Sequence, residues 1–313
     1  NLDSLHNEKL LNIDYEKEII VDDGILKHNL KNYWKTTIVK SNSSIKVSLI
    51  IKPKDQIIEN NSIWLRLDWS NYGHFGLIKK QNYFLLNRYI NTSKIRNLKK
   101  ININNNYEVI AIKTDILGIF NEPLVTITDY CKSIVEKGDI LVIGETPLAI
   151  MQGKYVNPQN INYTIFAKIF CYFFNPTSSL ATACGMQLLI NKIGITRIVY
   201  ALIIGLFFKL FGIKGLFYRL TGKDSSLIDD ISGTTFPYDK TIVMGPIKTK
   251  SFCNDLAKIL NIDVAVADVN DLGKVKIIDT SNKAVIKVLQ RSLKSNPSGN
   301  ADQKTPIVLV RKL

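Results

Sequence analysis

The order of apolar and polar residues changes character near residue 107. Before it, short runs of β-branched and aromatic residues are separated by Asn- and Ser-rich turns, a pattern typical of strands. Four such runs are WKTTIVK, SIKVSLIIK, SIWLRLDW and NYFLLNRYI. The pattern predicts a β-rich N-terminal module over residues 1–106, with the polar stretch from Asn97 to Asn106 as a linker.

From Tyr107 onwards, strand-like and helical patterns alternate, which indicates an α/β domain over residues 107–313. The predicted strands are YEVIAIKT, GDILVIGE, AIMQGKYV, KTIVMG and DVAVA. Helices are expected near residues 161–173, 180–194 and 196–211. The whole chain is therefore expected to be of the α+β class.

Two further segments have apolar residues at helical spacing. PLVTITDYCKSIV places Ile127, Tyr130, Cys131 and Ile134 on one face, and TKSFCNDLAKIL does so with Phe252, Leu256, Ile259 and Leu260. These faces are expected to pack on the sheet.

The longest uncharged apolar run is Ile198 to Phe208, which Lys209 interrupts. As a helix it covers about 16 Å, roughly half of a ~30 Å hydrocarbon core. We therefore predict a helix buried nearly all round, packed against the equally apolar segment YTIFAKIFCYFF. Together the two are expected to leave an apolar patch that a second subunit covers. A membrane surface is the alternative partner for that patch.

The net charge of +14 refines this picture through its distribution. The basic excess is shared by both parts of the chain, without a basic arm, so nucleic-acid binding is not expected. Between Glu145 and Asp224 there is no acidic residue, but there are eight basic ones. This segment is also the most apolar, which suits an anionic membrane surface or an anionic ligand.

The cysteine and histidine positions exclude some classes of site. The four cysteines are scattered without a CxxC spacing, and all three histidines lie in the first quarter. Reduced, buried thiols are therefore expected rather than a zinc site. No basic-then-apolar signal segment opens the sequence, and a cytoplasmic location is expected.

The octapeptide VADVNDLG is the clearest candidate for metal chemistry. Asp268, Asn270 and Asp271 follow the apolar run VAVA, at the expected end of a strand. Mg²⁺ and Mn²⁺ prefer oxygen ligands, and one or two carboxylates with phosphate oxygens suffice. Glu145 is a further expected member of this group. The alternative is an ordinary turn, because Asp and Asn readily bond their own backbone.

Phosphate-binding candidates are weaker. Neither GxxxxGK[ST] nor GxGxxG occurs in the sequence. Lys154, beside Gly153 where a backbone can approach closely, and Lys113 are the candidate nucleotide or substrate contacts; solvated lysines are the alternative. No Ser-His-Asp or Cys-His set is apparent, so acyl transfer through a covalent enzyme intermediate is not expected.

Several motifs in residues 107–313 resemble the coenzyme F420-0:L-glutamate ligase (gamma-glutamyl ligase) family. The resemblance rests on the order of AIKTDILGIFNEPLVTITDYCKSIVEKGDILVIGETPLAIMQGKYV, MGPIKTKSFCNDLAKIL and DVAVADVNDLG. The segments FYR, NPSG and TPI, from Phe217, Asn296 and Thr305, are similar to a divergent branch of that family.

The resemblance implies a mixed-sheet domain of gamma-glutamyl ligase type and a homodimer. It also implies a GTP- and Mg²⁺- or Mn²⁺-dependent amide ligation of L-glutamate to a small-molecule acid, with Asp268 as a metal ligand. The Gly-Arg-Pro that follows this Asp in the family's well-studied ligases is absent here. The alternative is a non-catalytic relative that binds a ligand or contacts a membrane peripherally.

Overall fold

A computed structural model describes most of the chain after residue 106 and several strands before it. The described residues are 15–22, 27–30, 46–53, 63–73, 76–86, 99–103, 107–176, 178–213, 215–222, 228, 238–269, 273–299 and 303–313. The chain divides into two compact units, Asn1–Asn61 and Ser62–Leu313.

The described N-terminal residues form strands, as the sequence predicted. In the first unit β1 (Tyr15–Asp22) pairs antiparallel with both β2 (Lys27–Leu30) and β3 (Lys46–Pro53). In the second unit β4 (Ile63–Gly73) and β5 (Gly76–Leu86) form an antiparallel hairpin. The predicted strand WKTTIVK lies outside the described residues.

A six-stranded mixed sheet organises the second unit, in the order β12-β11-β8-β13-β7-β6. Only β8 and β11 are parallel neighbours, and every other pair is antiparallel. The strands are β6 (Lys99–Ile103), β7 (Tyr107–Ile112), β8 (Ile140–Gly144), β11 (Asp263–Val269), β12 (Val275–Thr280) and β13 (Ile307–Lys312). A separate two-stranded sheet pairs β9 (Tyr155–Val156) with β10 (Ile242–Val243).

Strand β6 corrects the linker prediction. It lies within the stretch from Asn97 to Asn106 and pairs with β7 from Lys99↔Ala111 to Ile103↔Tyr107. Part of this polar stretch is therefore an edge strand. Its Lys and Asn side chains fit that position, because charged residues protect an exposed sheet edge.

The side chains of the sheet alternate between two cores, as expected for period-2 strands. In β13, Ile307 and Leu309 join one core, whereas Val308 and Val310 join the other. The first face is covered by helices α1, α2 and α7, and the second by α8. These are α1 (Pro123–Cys131), α2 (Glu145–Met151), α7 (Thr249–Leu260) and α8 (Ile286–Ser292).

Helix α1 begins at the point where its sequence supplies a cap for the first turn. Glu122 accepts a hydrogen bond from the Val125 N–H at 2.7 Å, and Pro123 occupies the first turn. This cap satisfies a backbone donor that the helix cannot satisfy itself. Ile127, Tyr130 and Cys131 are buried, which confirms their predicted face.

Two predictions in this region were wrong. AIMQGKYV is not a strand: its first part is the end of α2, and only Tyr155–Val156 pairs as β9. A short apolar run cannot distinguish a buried strand from a buried helix by periodicity alone. In α7, Ile259 is 54% exposed rather than part of the buried face, although Phe252 and Leu256 are buried.

The predicted helices between residues 161 and 211 are confirmed and form a core of their own. They are α3 (Ile165–Phe170), α4 (Ala183–Ile193) and α5 (Ile195–Leu210), joined by the unpredicted α6 (Leu216–Thr221). Ala167 and Cys171 share this core with Ile198 and Ala201, so the two apolar segments do pack together.

These segments also leave the expected apolar patch. Within the described fold the run from Ile198 to Phe208 is therefore not buried nearly all round as predicted, because only one face of its helix packs in the core. Most of the exposed large apolar side chains of the described residues lie within residues 163–173 and 199–213, which we call the apolar surface. That a second subunit covers it remains a prediction. No single described helix is long and apolar enough to cross a membrane; α4 and α5 reach that hydropathy jointly but are bent by 113°.

Candidate functional site

The candidate site lies at one edge of the six-stranded sheet. Strands β7, β8 and β11 run in the same direction, so their carboxyl ends reach this edge together with the amino end of β13. Ligands of open α/β sheets commonly bind outside the carboxyl ends of the strands. The end of β11 and the start of β12 lie at the same edge, since Val269 pairs with Val275.

Glu145 and Asp268 meet at this edge. The parallel register of β8 and β11 ends with Ala267 opposite Gly144. Asp268 is the next residue of β11, and Glu145 follows Gly144 as the first residue of α2. Adjacent strands lie about 4.8 Å apart, so the main chains that carry the two carboxylates are neighbours. Asp268 lies at the end of a strand, which confirms that part of its prediction.

Both acids belong to the same face of the sheet. Asp268 continues the alternation of Val264 and Val266, which pack in the core that α2 also covers. Glu145 opens α2 and is only 6% exposed, whereas Asp268 is exposed. An acidic residue in the first turn is favoured by the helix dipole. The edge therefore presents one buried and one accessible acidic residue.

Lys276 is a neighbour that the sequence did not reveal. The antiparallel register places it opposite Asp268 on β12. Side chains directly opposite each other have Cβ atoms about 5 Å apart, close enough for an ion pair. An ion pair with Lys276 would give Asp268 a structural role besides metal binding. Lys276 also adds a positive charge to this edge of the sheet.

Lys113 follows the last residue of β7 at the same edge and is exposed. Strand β13 separates β7 from β8, so Lys113 is two strand spacings, about 10 Å, from Glu145 along the edge. The chain after it is fixed, because the Thr114 N–H donates to the Lys304 carbonyl at 2.8 Å. Lys113 can therefore face the same ligand as the acids without touching them.

The C-terminal motifs help to build this edge. The Gly144 N–H donates to the Pro306 carbonyl at 2.9 Å, and the Thr305 hydroxyl donates to the Ser298 carbonyl at 2.6 Å. The TPI and NPSG segments thus hold the turn before β13 against the end of β8. Their contribution to the site is the position of Gly144 and, through it, of Glu145.

Gly153 and Lys154 lie at the other end of α2, about 10 Å from Glu145 for a helix of seven residues. Gly153 has φ +68°, and a Cβ there would lie 3.0 Å from Cδ1 of Ile119. The positive φ and the closeness of Ile119 explain why position 153 is a glycine, and a bound ligand is not needed to explain it. The Lys154 carbonyl accepts from the Met244 N–H at 2.8 Å, so this lysine belongs to the β9–β10 region.

A basic cleft of about 400 Å³ borders the loop between β11 and β12. Its walls are built from the start of β12 and the end of α8. The lining residues are Gly273, Val275, Lys287, Gln290, Arg291 and Lys294. Its three cations are spaced by four and three residues along and just beyond α8, so they share one side. This spacing could have been noticed in the sequence. The cleft lies on the face of the sheet that α8 covers, whereas Asp268 belongs to the face that α2 covers.

The described residues supply only part of a metal site. No group of three or more His, Cys, Asp or Glu that could hold a metal ion is present among them. Asn270 and Asp271 lie outside the described residues, so their predicted role is untested. Glu145 and Asp268 nevertheless fit Mg²⁺ or Mn²⁺, because such an ion keeps waters and needs few carboxylates when phosphate completes its shell.

The buried thiols do not fit a nucleophilic role. The four cysteines are thiols that form no disulfide. Burial raises the pKa of Cys131 to about 12, and burial, followed by the charge of Asp279, raises that of Cys253 to about 12. Thiols with such values stay protonated at neutral pH, and the thiolate is the reactive form.

Beside Lys154, two tyrosines form a second polar feature. The rings of Tyr155 and Tyr238 meet edge to face with centroids 5.0 Å apart. Burial raises the pKa of both hydroxyls, and for Tyr238 the nearby Tyr155 adds to the effect. The Tyr238 hydroxyl is buried without a hydrogen-bond partner among the described residues. Such a group can bind a water molecule or a ligand oxygen.

Comparison with known protein families finds a match in the N-terminal part of the chain. Residues 1–89 match the family model for the N-terminal Ig-like domain of F420-0:gamma-glutamyl ligase. Over that segment the chain is a divergent relative of the F420-0:gamma-glutamyl ligase family. An Ig-like domain agrees with the strands β1–β5, which fall within the match. No curated protein matches the chain significantly.

The match gives the N-terminal module an assignment that the sequence analysis lacked. The sequence alone predicted β-structure in this module and left its role open. The resemblance to F420-0:gamma-glutamyl ligases was expected from residues 107–313. The matched segment and those residues do not overlap. The boundary at residue 106 is untested.

Proposed function

We propose that this chain is a gamma-glutamyl amide ligase that uses GTP and a divalent cation to join L-glutamate to a small-molecule acid. The support comes from two non-overlapping parts of the chain: the Ig-like match at residues 1–89 and the motifs of residues 107–313. The observation that carries the proposal is the meeting of Glu145 and Asp268 at the carboxyl ends of β8 and β11.

The expected reaction has two balanced steps. The γ-phosphoryl group of GTP passes to a carboxylate oxygen of the acid, giving an acyl phosphate and GDP. The amine of L-glutamate then attacks the acyl carbon, forms the amide, loses a proton and releases phosphate. Catalysis of such phosphoryl transfer depends mainly on positioning the reactants and neutralising the charge of the phosphate. The acidic and basic residues described above are of the types that these two tasks need.

Each part of the edge has a proposed task. Glu145 and Asp268 would hold the divalent cation, whose chemistry is to neutralise phosphate charge. The basic cleft formed by Lys287, Arg291 and Lys294 lies on the other face of the sheet and would bind phosphate or the carboxylates of the acid substrate only if that ligand extends past the end of β11. Lys113 would contact the nucleotide from the opposite end of the edge. Lys154, at the far end of α2, would contact the substrate or nucleotide only if that ligand extends past the helix.

Mn²⁺ binding tests the acid pair directly. Free Mn²⁺ is measured by electron paramagnetic resonance during titration of the full chain in the presence of GTP. We expect Asp268→Asn and Glu145→Gln each to weaken Mn²⁺ binding by about tenfold or more. Both variants keep the size of the side chain, and circular dichroism checks that each is folded.

Asp129→Asn is the matched control, because Asp129 is an exposed acid on α1. It is expected to bind Mn²⁺ like the unchanged protein. If Asp268 serves only as the partner of Lys276, Asp268→Asn will change the free energy of unfolding by less than about 1 kcal/mol and leave Mn²⁺ binding intact. That result would refute the proposed metal role.

A further inference from the structure

The apolar surface is concentrated on helix α5. One face of this helix packs in the core through Ile198, Ala201 and Leu202. The opposite face carries Ile203, 64% exposed, and Leu210, 83% exposed. A helix that is apolar on both faces is normally covered on both. In the described fold, one face of α5 lacks such a cover.

Residues 163–173 extend this surface. Tyr172 is 88% exposed, and Ile165 and Ile169 are also exposed. The segment is joined to α5 through α6: the ring of Phe174 meets that of Phe217 at 4.8 Å, and a Cβ at Gly205 would lie 3.4 Å from Phe217. The exposed aromatic side chains are therefore held by a packed core.

The segment that carries this surface has charges of one sign only. Residues 146–223 contain eight basic residues and no acidic one. Lys168, Lys192, Lys209 and Arg219 are exposed among the described ones. Arg197 is committed to the fold, since its guanidinium donates twice to the Leu220 carbonyl, at 2.9 and 3.0 Å.

We propose that the apolar surface is a membrane-docking site, with α5 lying in the interface of a bilayer that contains anionic phospholipid. Apolar and aromatic side chains would enter the boundary between headgroups and acyl chains, and the lysines would meet the anionic headgroups. Exposed aromatic residues suit this boundary because they are favoured at membrane interfaces.

The structure favours lying in the interface over crossing it. Sixteen residues of α5 span about 24 Å, less than the hydrocarbon core of about 30 Å. Helix α4, the other half of the bent pair, is buried in protein through Met186, Leu188 and Leu189. It therefore cannot extend α5 through a bilayer without unpacking the core.

Charge also favours lipid over a second copy of the chain. A two-fold interface brings the same patch of two subunits together, so Lys168, Lys192 and Lys209 would face their own equivalents without acidic residues of the same segment to pair with. Anionic phospholipid supplies both the apolar phase and the opposite charge. The predicted homodimer is therefore the competing explanation for the apolar surface, and the following test distinguishes the two.

The test is co-sedimentation of the full chain with vesicles in detergent-free buffer. One set contains phosphatidylcholine alone, and the other contains phosphatidylcholine mixed with phosphatidylglycerol. We expect binding to the mixed vesicles only, weakened by high salt. Leu210→Ser and Tyr172→Ser should each reduce partitioning severalfold, and Lys209→Gln about fivefold.

Helix α7 provides matched controls. Ile259 is 54% exposed there, and Lys258 is exposed next to it. Ile259→Ser and Lys258→Gln should bind mixed vesicles as the unchanged chain does. Equal loss in these controls, absence of vesicle binding, or equal binding to both vesicle types would overturn the proposal. So would a stable dimer that fails to bind vesicles but dissociates when Leu210 is replaced by Ser.

Discussion

At the residue scale, the chemistry of single side chains depends on what the fold places beside them. Asp268 appeared in the sequence as one of three polar residues in a turn, and only the parallel register of β8 and β11 places it beside Glu145. Lys276 faces it for the same reason, because register sets cross-strand neighbours. Neither of these two neighbours of Asp268 can be identified from the order of residues in the sequence.

The buried thiol of Cys131 predicts instability in alkali. Its pKa is raised by burial to about 12 from the model-compound value of 9.0. Between these values the unfolded chain has lost the thiol proton and the folded chain has kept it. Stability therefore falls as pH rises from about 9 to 12, by up to about 1.4 kcal/mol per pH unit for this group.

Urea unfolding between pH 7 and pH 11 measures this effect. Cys131→Ala should lower the free energy of unfolding at pH 7, because a buried sulfur is lost, and should decline less steeply above pH 9 than the unchanged protein. Parallel pH profiles for the two proteins would contradict the raised pKa.

The Tyr238 hydroxyl gives a second prediction at this scale. It is buried without a partner among the described residues, and an unpaired buried polar atom costs about 1–3 kcal/mol. Tyr238→Phe should therefore leave the free energy of unfolding unchanged or raise it by about 1 kcal/mol, as measured in urea. A loss of more than about 1 kcal/mol would mean that the hydroxyl has a bound partner.

At the element scale, the two ends of β8 have different tasks. Its carboxyl end leads to Glu145, and its amino end is fixed by an ion pair. Arg311 of β13 donates to both carboxylate oxygens of buried Asp139, at 2.9 and 2.8 Å, and to the carbonyl of Ile134. The pKa of Arg311 is raised, chiefly by its hydrogen bond to Asp139.

Asp139→Asn is expected to lower the free energy of unfolding by about 3–5 kcal/mol, because a buried bidentate pair is broken and Arg311 loses its buried carboxylate partner. Glu136→Gln is the matched control: Glu136 also contacts Arg311, but its side chain is 66% exposed, so a loss below about 1 kcal/mol is expected. Chemical denaturation of both variants compares them, and similar losses would contradict this account.

The raised pKa of Arg311 has no consequence near neutral pH. A cation whose folded-state pKa is raised contributes stability that is complete below its unfolded value and is lost only as pH rises through the folded one. For Arg311 that window lies above the ordinary pKa of an arginine, far from neutral pH. Loss of stability near pH 9 to 12 is therefore attributed to groups such as the buried thiols.

The elements that the sequence predicted well are those with a complete local signal. Helix α1 has its cap and its apolar face in one stretch, and β8 and β11 are continuous apolar runs. The start of α2 was missed because Gly144 and Pro147 interrupt its pattern. The polar strand β6 was missed because its strand character comes from pairing with β7, which a local pattern does not contain.

At the scale of the whole molecule, compactness, residue pattern and family match each give a different limit along the chain. The compact units meet between Asn61 and Ser62, whereas the change of pattern comes near residue 107. The family match ends at residue 89. The pattern of apolar and polar residues shows where the type of secondary structure changes. The limits of a compact unit depend on contacts between residues far apart in the sequence, which a local pattern does not contain.

Two truncations distinguish these limits. Residues 62–313 keep every strand of the six-stranded sheet and should unfold cooperatively in thermal denaturation followed by circular dichroism. Residues 107–313 lack β6 and expose the edge of β7, so we expect a lower melting temperature and aggregation. Equal melting temperatures for the two fragments would instead support a domain boundary at residue 106.

The proposed function is tested most directly by glutamate transfer. The full chain is incubated with GTP, Mn²⁺, L-glutamate and coenzyme F420-0, and the products are followed by mass spectrometry. The account predicts an acceptor heavier by one glutamyl residue and one GDP per amide formed. Asp268→Asn should abolish both products, and Asp129→Asn should retain both. Failure of the unchanged chain to form either GDP or the amide, with every component present, would contradict the ligase assignment.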